Sequence, residues 1–163
     1  AILELLFSTG LRLAELCKLD RYLNFDRGEV TVRGKGEKLR LVFVSETAQQ
    51  AIKNYLAKRP DTEDKLFISL DKKGRVVGPI TPRSVQRMVS FYSRKAGLTQ
   101  RLTPHGLRHL FATDLLRNGA DIRSVQELLG HASISPTQIY THVTNKHFKE
   151  IHKTFHDRPG KKS

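Results

Sequence analysis

One pair of residues combines a group that can carry a proton with a permanent cation. His105 and Arg108 stand at positions i and i+3 in "TPHGLRHLFATDLL", and this spacing places both side chains on the same side of a helix near its N-terminus. That end of a helix attracts anions. In isolation the pair is more typical of a solvated arginine beside a polar histidine, so an anion site requires support from elsewhere in the chain.

Three further polar residues stand where the chain pattern exposes a side-chain tip. Arg12 follows a break at Thr9-Gly10, Lys35 lies between two glycines at the tip of a predicted hairpin, and His131 follows a predicted helix end. Taken singly, each has an ordinary explanation: a surface charge, a turn cation, and a histidine that the dipole of the helix C-terminus tolerates. Only the complete set indicates a functional site.

The last candidate is Tyr140 in "LGHASISPTQIYTHV", which by itself is typical of a surface aromatic residue. A tyrosine together with two arginines, a lysine and two histidines, without clustered carboxylates to bind a metal, fits phosphoryl transfer that uses no metal ion. Two guanidinium groups neutralise the nonbridging oxygens of a phosphodiester and stabilise the charge that develops on a five-coordinate phosphorus.

The proton transfers of such a reaction can be assigned to the same residues. A phenol has a pKa of about 10, so Tyr140 needs a base or strongly cationic surroundings to become a nucleophile. His105 and the two arginines supply them. The leaving 5′-oxygen needs a proton, and Lys35 on a glycine-flanked loop is suited to donate it.

The overall charge of the chain agrees with a phosphate-rich partner. The 163 residues contain 29 lysines and arginines against 16 acids, a formal charge of +13 spread along the sequence. Each cation that neutralises a phosphate releases counterions, which favours nucleic-acid binding. A ribosome-associated or other basic protein has a similar composition, and composition does not separate DNA from RNA. The length and the hydrophobic content of 38% predict one compact domain.

The remaining composition bears on cellular location. A single cysteine, Cys17, excludes an internal disulfide and indicates an intracellular protein. No apolar run approaches the ~20 residues that span a bilayer, so no membrane partner is expected. The chain opens with the apolar helical pattern "AILELLFSTG" and no capping residue before it. This opening predicts a further segment on the N-terminal side.

Apolar periodicity and capping residues predict a mostly α fold with a small antiparallel β-sheet, an α+β fold. The sheet is a hairpin in "EVTVRGKGEKLRLVFV", which alternates apolar and polar residues around a glycine turn, and "KLFISL" is a further short strand before the turn "DKKG". Helices are predicted over residues 2–8, 11–19, 45–59, 81–96, 103–118 and 121–129, with one helical segment opening at Ser135-Pro136 and a last one after Asn145.

Four blocks of this sequence carry a resemblance to a known family. "STGLRLAEL", "VRGKGEKLR", "LTPHGLRHLFAT" and "LGHASISPTQIYTHV" resemble the motif blocks of the tyrosine recombinases, or phage integrase family, and are most similar to its Xer-type members. The resemblance covers nearly the whole chain, and the blocks stand in the family's order and spacing. It implies the catalytic fold shared by tyrosine recombinases and type IB topoisomerases. Residues 1–163 are then the C-terminal catalytic domain, and the N-terminal core-binding domain is absent from this chain.

The resemblance also implies roles for the site residues. Tyr140 attacks a DNA phosphodiester and forms a 3′-phosphotyrosyl link, while the two arginines clamp the phosphate, the lysine is the general acid, the first histidine assists proton transfer and the second binds a nonbridging oxygen. Glu15 supports the site from behind. No cofactor is implied, because the covalent link conserves the bond energy. The implied catalytic residues are Arg12, Lys35, His105, Arg108, His131 and Tyr140.

The expected activity is site-specific DNA recombination, in Xer-type resolution of chromosome dimers or in integration and excision of a mobile element. The implied partners are double-stranded DNA and either further copies of the protein, as a tetramer on two DNA sites, or a paired recombinase. The expected location is the cytoplasm, in association with the nucleoid. Leu110 and Asp114 depart from residues that are common in the family, but neither belongs to the catalytic set.

Three alternatives to a recombinase remain at this point. A type IB topoisomerase relaxes supercoils with the same chemistry, although its first histidine position is usually a lysine. A DNA-binding module that has lost catalysis has the same charge. A metal-binding or structural role for the C-terminal histidines is disfavoured, because their steps of five, five and four residues drift around a helix and no cysteine or acid cluster completes a zinc site with them. These histidines are His142, His147, His152 and His156.

The last predicted helix carries an apolar stripe with two possible explanations. Phe148, Ile151 and Phe155 recur at helical spacing. Such a stripe is ordinarily packed into the core of its own chain. The resemblance implies the other possibility, in which this helix docks on a neighbouring protomer and links a tetramer.

Overall fold

The computed structural model describes residues 1–34, 38–130 and 149–154. In these ranges the chain forms mainly helices and two antiparallel hairpins, which confirms the α+β prediction. Residues 149–154 are also helical. The numbered helices are α1 (Ile2–Thr9), α2 (Leu13–Lys18), α3 (Glu46–Leu56), α4 (Pro82–Lys95), α5 (Pro104–Arg117) and α6 (Ile122–Leu128). The strands are β1 (Glu29–Arg33), β2 (Leu39–Phe43), β3 (Ile68–Leu70) and β4 (Val76–Pro79).

Helix starts follow the capping residues that the sequence predicted. The side chains of Ser45, Thr81, Thr103 and Asp121 each accept a hydrogen bond from the backbone N–H three residues further on. Such caps satisfy N–H groups that have no partner inside the helix. Proline occupies the first turn of α4 and α5, where its missing N–H costs nothing. The predicted break between the first two helices is also present. α1 ends at Thr9, and Gly10 caps it with a left-handed φ of 59°.

The first hairpin has the predicted position. β1 pairs antiparallel with β2, from Glu29 opposite Phe43 to Arg33 opposite Leu39. At its far end the backbone N–H of Gly34 donates to the carbonyl of Lys38 at 2.8 Å. This bond continues the pairing of the two strands by one residue beyond Arg33 and Leu39.

The prediction of a single sheet is wrong for the residues that the structure describes. β4 pairs antiparallel with β3 and makes a second two-stranded sheet. The sequence signal for β4 was weak because the strand is only partly buried and contains Gly78 and Pro79, which are both unfavourable in strands. Helix α3 is also shorter than predicted. It ends at Leu56, and Arg59, the predicted last residue of this helix, binds Asp61 two residues further along the chain.

Two apolar clusters hold these elements together. The larger cluster lies among α1, α2, α3, α4 and the first hairpin, and includes Leu5, Leu16 and Val85. The smaller cluster joins the end of β2 to α5 and α6 around Phe43 and Phe111. α1 contacts both α3 and α5. Hydrogen bonds from Arg108 join the first turns of α5 to the C-terminal ends of α1 and α6, and Arg12 at the start of α2 also binds the end of α6, where the candidate site lies.

The helical residues 149–154 reach the smaller cluster through Ile151. Ile151 packs there against its own chain, and the His152 ring Nε2 donates to the carbonyl of Ser8 at 2.7 Å. This packing supports the ordinary-core explanation for Ile151. Phe148 and Phe155, the other members of the predicted stripe, lie outside the described residues. Among the helices that the structure describes, none has the length and apolar character needed to cross a membrane.

Candidate active site

Arg12 occupies the N-cap of α2, so the predicted helix start is confirmed. Its backbone N–H donates to Glu15 Oε2 at 2.8 Å and its Nη1 to Glu15 Oε1 at 3.1 Å. A carboxylate that reaches back from the third helical position to the N-cap is a standard way to begin a helix. The Arg12 side chain is still 35% exposed. The Arg12 guanidinium can therefore reach a ligand while Glu15 holds the backbone and one side-chain nitrogen of Arg12 in place.

Glu15 is buried between two guanidinium groups. Arg40, from strand β2, donates from Nη2 to Oε2 at 2.7 Å and from Nε to Oε1 at 3.3 Å. Burial alone raises the pKa of the Glu15 carboxyl, but hydrogen bonds from Arg40 and Arg12 and the charge of Arg40 outweigh burial and lower it. Glu15 is therefore an ionised carboxylate inside the protein. The sequence predicted its supporting role, and the structure shows the contacts.

Arg108 lies on the first turns of α5 and is only 7% exposed. Its Nη1 donates to the carbonyl of Gly10 and its Nη2 to the carbonyl of Leu129 at 2.6 Å. Burial, together with the charges of Arg12 and Arg40, lowers the pKa of Arg108 to about 10, against the opposing effect of Glu15. Arg108 is still a cation at neutral pH, and its surroundings favour a nearby anion.

The C-terminal end of α6 is the point where the arginines converge. Carbonyls at a helix C-terminus have no partner inside the helix and carry the negative end of its dipole, so they attract cations. Three consecutive carbonyls each accept a hydrogen bond from a different arginine: Leu128 from Arg40 at 2.8 Å, Leu129 from Arg108 at 2.6 Å and Gly130 from Arg12 at 3.3 Å.

Gly130 is required at this end for two reasons. Its φ of 65° lies in the left-handed region, and a Cβ there would approach Arg40 Cδ to 2.8 Å. Both the backbone conformation and the close approach of Arg40 therefore favour glycine. The next residue in the chain is His131, so the turn that leads to this candidate is anchored on the arginine cluster.

His105 is arranged differently from its partner in the HxxR pair. It is exposed in the first turn of α5, while Arg108, one turn later, is buried. The backbone N–H of Gly106 donates to Thr103 Oγ1 at 3.0 Å, and this cap fixes the start of the helix. The structure thus brings Arg12 and Arg108 together at the end of α6 and places His105 on the exposed part of the helix that carries Arg108.

Lys35, His131 and Tyr140 lie outside the described residues, and their roles stay predictions. The chain that leads to the first two is described. A Cβ built on Gly34 would lie 3.3 Å from Glu15 Oε1, so the residue before Lys35 lies against the buried carboxylate.

Arg40 is the member of the cluster that the sequence analysis missed. It lies in β2 opposite Val32, and like Val32 and Val42 it is buried. The signal was available: strand alternation places positions 40 and 42 on the same face, so an arginine two residues before a core valine predicts a buried, paired cation. Its carboxylate partner, Glu15, lies 25 residues earlier in the sequence.

The described residues bear on the metal-binding alternative. In residues 1–34, 38–130 and 149–154, no three histidine, cysteine, aspartate or glutamate side chains lie close enough to hold a metal ion. Of the four C-terminal histidines, the structure describes His152, which is buried against Ser8 and the Phe43 ring. His142, His147 and His156 are outside the described ranges.

Comparison of structures gives the class of protein first. The fold is that of a tyrosine recombinase catalytic domain. The chain is similar to a crystal structure of XerA recombinase, with a TM-score of 0.71 and 37% identity over 96% of this chain and 56% of that one. It is also similar to the XerH site-specific recombinase bound to difH substrate in a pre-cleavage complex, with a TM-score of 0.66 and 29% identity over 96% of this chain and 46% of that one.

Comparison of sequences then gives the family. The sequence model of the phage integrase family matches residues 1–147, and the chain belongs to this family. It is 46% identical over 161 residues to tyrosine recombinase XerC of Thermodesulfovibrio yellowstonii, covering 96% of this chain and 54% of the relative. The chain spans about half the length of the curated relatives it matches. These relatives are named as recombinases, so the topoisomerase alternative is not favoured.

Proposed function

We propose that this chain is the catalytic domain, residues 1–163, of a longer Xer-type recombinase that cleaves and rejoins DNA at specific sites. The observation that carries the proposal is the meeting of Arg12 and Arg108 on neighbouring carbonyls at the end of α6, where Arg108 is buried and Arg12 is partly exposed and bound to Glu15. Because three guanidinium groups, those of Arg12, Arg40 and Arg108, meet here and Glu15 is bound by two of them, the site has surplus positive charge. Such surplus suits the phosphate of a DNA strand.

The chemistry follows from the charge change at phosphorus. A phosphodiester carries one negative charge, and its five-coordinate transition state carries a second. Arg12 and Arg108 stabilise that second charge, and each such donor is worth ~3 kcal/mol in a site that excludes water. In the proposed reaction the phenolic oxygen of Tyr140 gives its proton to His105 as it forms a bond to phosphorus, the bond from phosphorus to the 5′-oxygen breaks, and Lys35 gives that oxygen a proton. His105 assists proton transfer, and His131 binds a nonbridging oxygen.

Helix α4 supports a nucleic acid as the partner. Arg83, Arg87 and Arg94 are exposed and are separated by four and seven residues, so they line one side of the helix. A row of cations can neutralise a row of backbone phosphates. This neutralisation supplies most of the affinity of a protein for nucleic acid. The XerH relative is described as bound to difH substrate. We propose double-stranded DNA as the partner, bound by a homotetramer on two sites or by a paired recombinase, in the cytoplasm with the nucleoid.

Covalent capture tests the proposal. The full-length protein is mixed with sheared DNA from its own host, denatured, and assayed for DNA that is retained on protein. The wild type is expected to form an adduct, and Tyr140→Phe to form none while binding the same DNA. Tyr22→Phe is the matched control, because Tyr22 is 75% exposed on a loop before β1. Retention of the adduct by Tyr140→Phe contradicts the assignment, and its loss on addition of a chelator contradicts the metal-independent mechanism.

A further inference from the structure

Arg40 is a buried charged residue, and its position is energetically unfavourable for a cation. It lies on the buried face of β2, is 6% exposed, and has Val32 opposite it in β1. A buried cation is strongly unfavourable unless it is paired and its N–H groups find acceptors. An apolar residue packs there at lower cost, so the partners of Arg40 indicate what the residue does.

All three nitrogen atoms of the Arg40 guanidinium donate to protein acceptors. Nε and Nη2 bind the two oxygens of Glu15, and Nη1 binds the Leu128 carbonyl at 2.8 Å. Arg12, in contrast, keeps 35% of its side chain exposed. Arg40 is therefore placed to hold other groups in position, and Arg12 is placed to bind a ligand.

The groups that Arg40 holds are the ones that orient the two predicted phosphate ligands. Glu15 binds the backbone and side chain of Arg12. The Leu128 carbonyl directly precedes the carbonyls that bind Arg108 and Arg12. Arg40 thus connects α2 to the end of α6, and both of these elements anchor the arginine pair.

We propose that Arg40 is a positioning residue for DNA strand cleavage, which holds Glu15 and the C-terminal end of α6 so that Arg12 and Arg108 face the scissile phosphate. This inference rests on the proposed function. Without Arg40, Glu15 is free to form its full ion pair with Arg12, which reduces the positive charge available to the phosphate. A lysine offers one compact charge and cannot span the carboxylate and the Leu128 carbonyl as a planar guanidinium does.

The test separates catalysis from folding by comparing two buried arginines. Arg40→Met is compared with Arg59→Met in the full-length protein. Arg59 is 8% exposed and binds Asp61 and the carbonyls of Lys65 and Leu66, away from the candidate site. Both variants are expected to unfold at lower temperature. Measurements on each are the thermal midpoint, the Kd for a duplex recovered by covalent capture, and the single-turnover cleavage rate at saturating protein.

For Arg40→Met, the cleavage rate of the folded protein is expected to fall ~100-fold, as for a misplaced catalytic group, while Kd changes less than ~3-fold because most affinity comes from backbone phosphates. Arg59→Met is expected to cleave at the wild-type rate. Arg40→Lys, which keeps the charge and much of the volume, is expected to restore less than a tenth of the lost rate. If Arg40→Met does not fold, Arg40→Lys is compared with Arg59→Met by the same three measurements.

A double-mutant cycle adds a readout that general destabilisation does not produce. Since Arg40 acts through Glu15, the combination of Arg40→Met with Glu15→Gln is expected to cleave no more slowly than the slower single variant. Wild-type cleavage by Arg40→Met or Arg40→Lys, or losses that multiply in the double variant, would overturn the positioning role. Absence of a covalent adduct with the wild type would instead overturn the proposed function, so the two failures are distinguishable.

Discussion

Arg40 Nη2 lies 2.7 Å from Glu15 Oε2, and both side chains are buried. The pair links a strand to the start of a helix 25 residues earlier in the chain, and Arg12 shares the same carboxylate. A single buried anion therefore determines where two cations sit.

Replacement of Arg108 tests the phosphate clamp. Arg108→Met removes a buried cation whose side chain binds two backbone carbonyls, and the cleavage rate is expected to fall ~100- to 1,000-fold, the loss typical of one transition-state donor. Single-turnover cleavage measures it. Arg117→Met on the last turn of the same helix is the control and is expected to leave the rate unchanged. Equal rates for Arg108→Met and the wild type would remove Arg108 from the clamp.

Acid is expected to destabilise the fold through Glu15. Because the folded-state pKa of Glu15 is below its ordinary value of 4.5, the ionised carboxylate stabilises the protein at pH above 4.5, and this contribution is lost as the pH falls through the lowered pKa. Glu15→Gln is expected to reduce the free energy of unfolding by about 3 kcal/mol at neutral pH.

Urea unfolding of the wild type and Glu15→Gln from pH 7 to pH 3 measures this effect. The difference between the two proteins should be constant near neutral pH and shrink below pH 4.5. A difference that does not depend on pH would show that ionisation of Glu15 is not the source of the stabilisation. Glu46→Gln, at the exposed start of α3, is the control for a carboxylate outside the site.

Gly130→Ala is expected to be more disruptive than the same change at Gly97. Both glycines have a left-handed φ, of 65° and 72°, but a Cβ at Gly130 meets Arg40 Cδ at 2.8 Å, whereas nothing lies within 4 Å at Gly97. Gly97→Ala should cost about 1 kcal/mol of unfolding free energy from backbone strain alone. Gly130→Ala should cost more and should also slow cleavage. Equal stability losses would mean that Arg40 can move aside freely.

The arginine row on α4 is tested by its salt dependence. Arg83→Ala, Arg87→Ala and Arg94→Ala should each weaken DNA binding and reduce the slope of log K against log salt concentration by about 1, the value for one lost phosphate contact. Fluorescence anisotropy with the captured duplex measures both quantities. Arg75→Ala is the control, since Arg75 is exposed but paired with Asp71 on the second hairpin. Unchanged slopes for all three α4 variants would place the DNA elsewhere.

Local signals explain why much of the fold was predictable. Helix starts depend on a capping side chain and its neighbours within three residues, so Thr81, Thr103 and Asp121 were recognisable in the sequence. The first hairpin has strict alternation around a glycine turn. β4 has neither signal, because its side chains are largely exposed, and only pairing with β3 makes it a strand.

The sequence alone specifies the residue types and spacing of the candidate site, since the four motif blocks, the HxxR pair and Tyr140 are visible in it. It also determined the helix that carries each of Arg12, His105 and Arg108, because capping is local. The sequence did not show that Arg12, Arg40 and Arg108 meet on consecutive carbonyls at the end of α6, because this meeting depends on how distant segments pack. A buried ion pair such as Arg40–Glu15 forms only where two such segments share a low-dielectric interior, and no local sequence pattern specifies which segments do so.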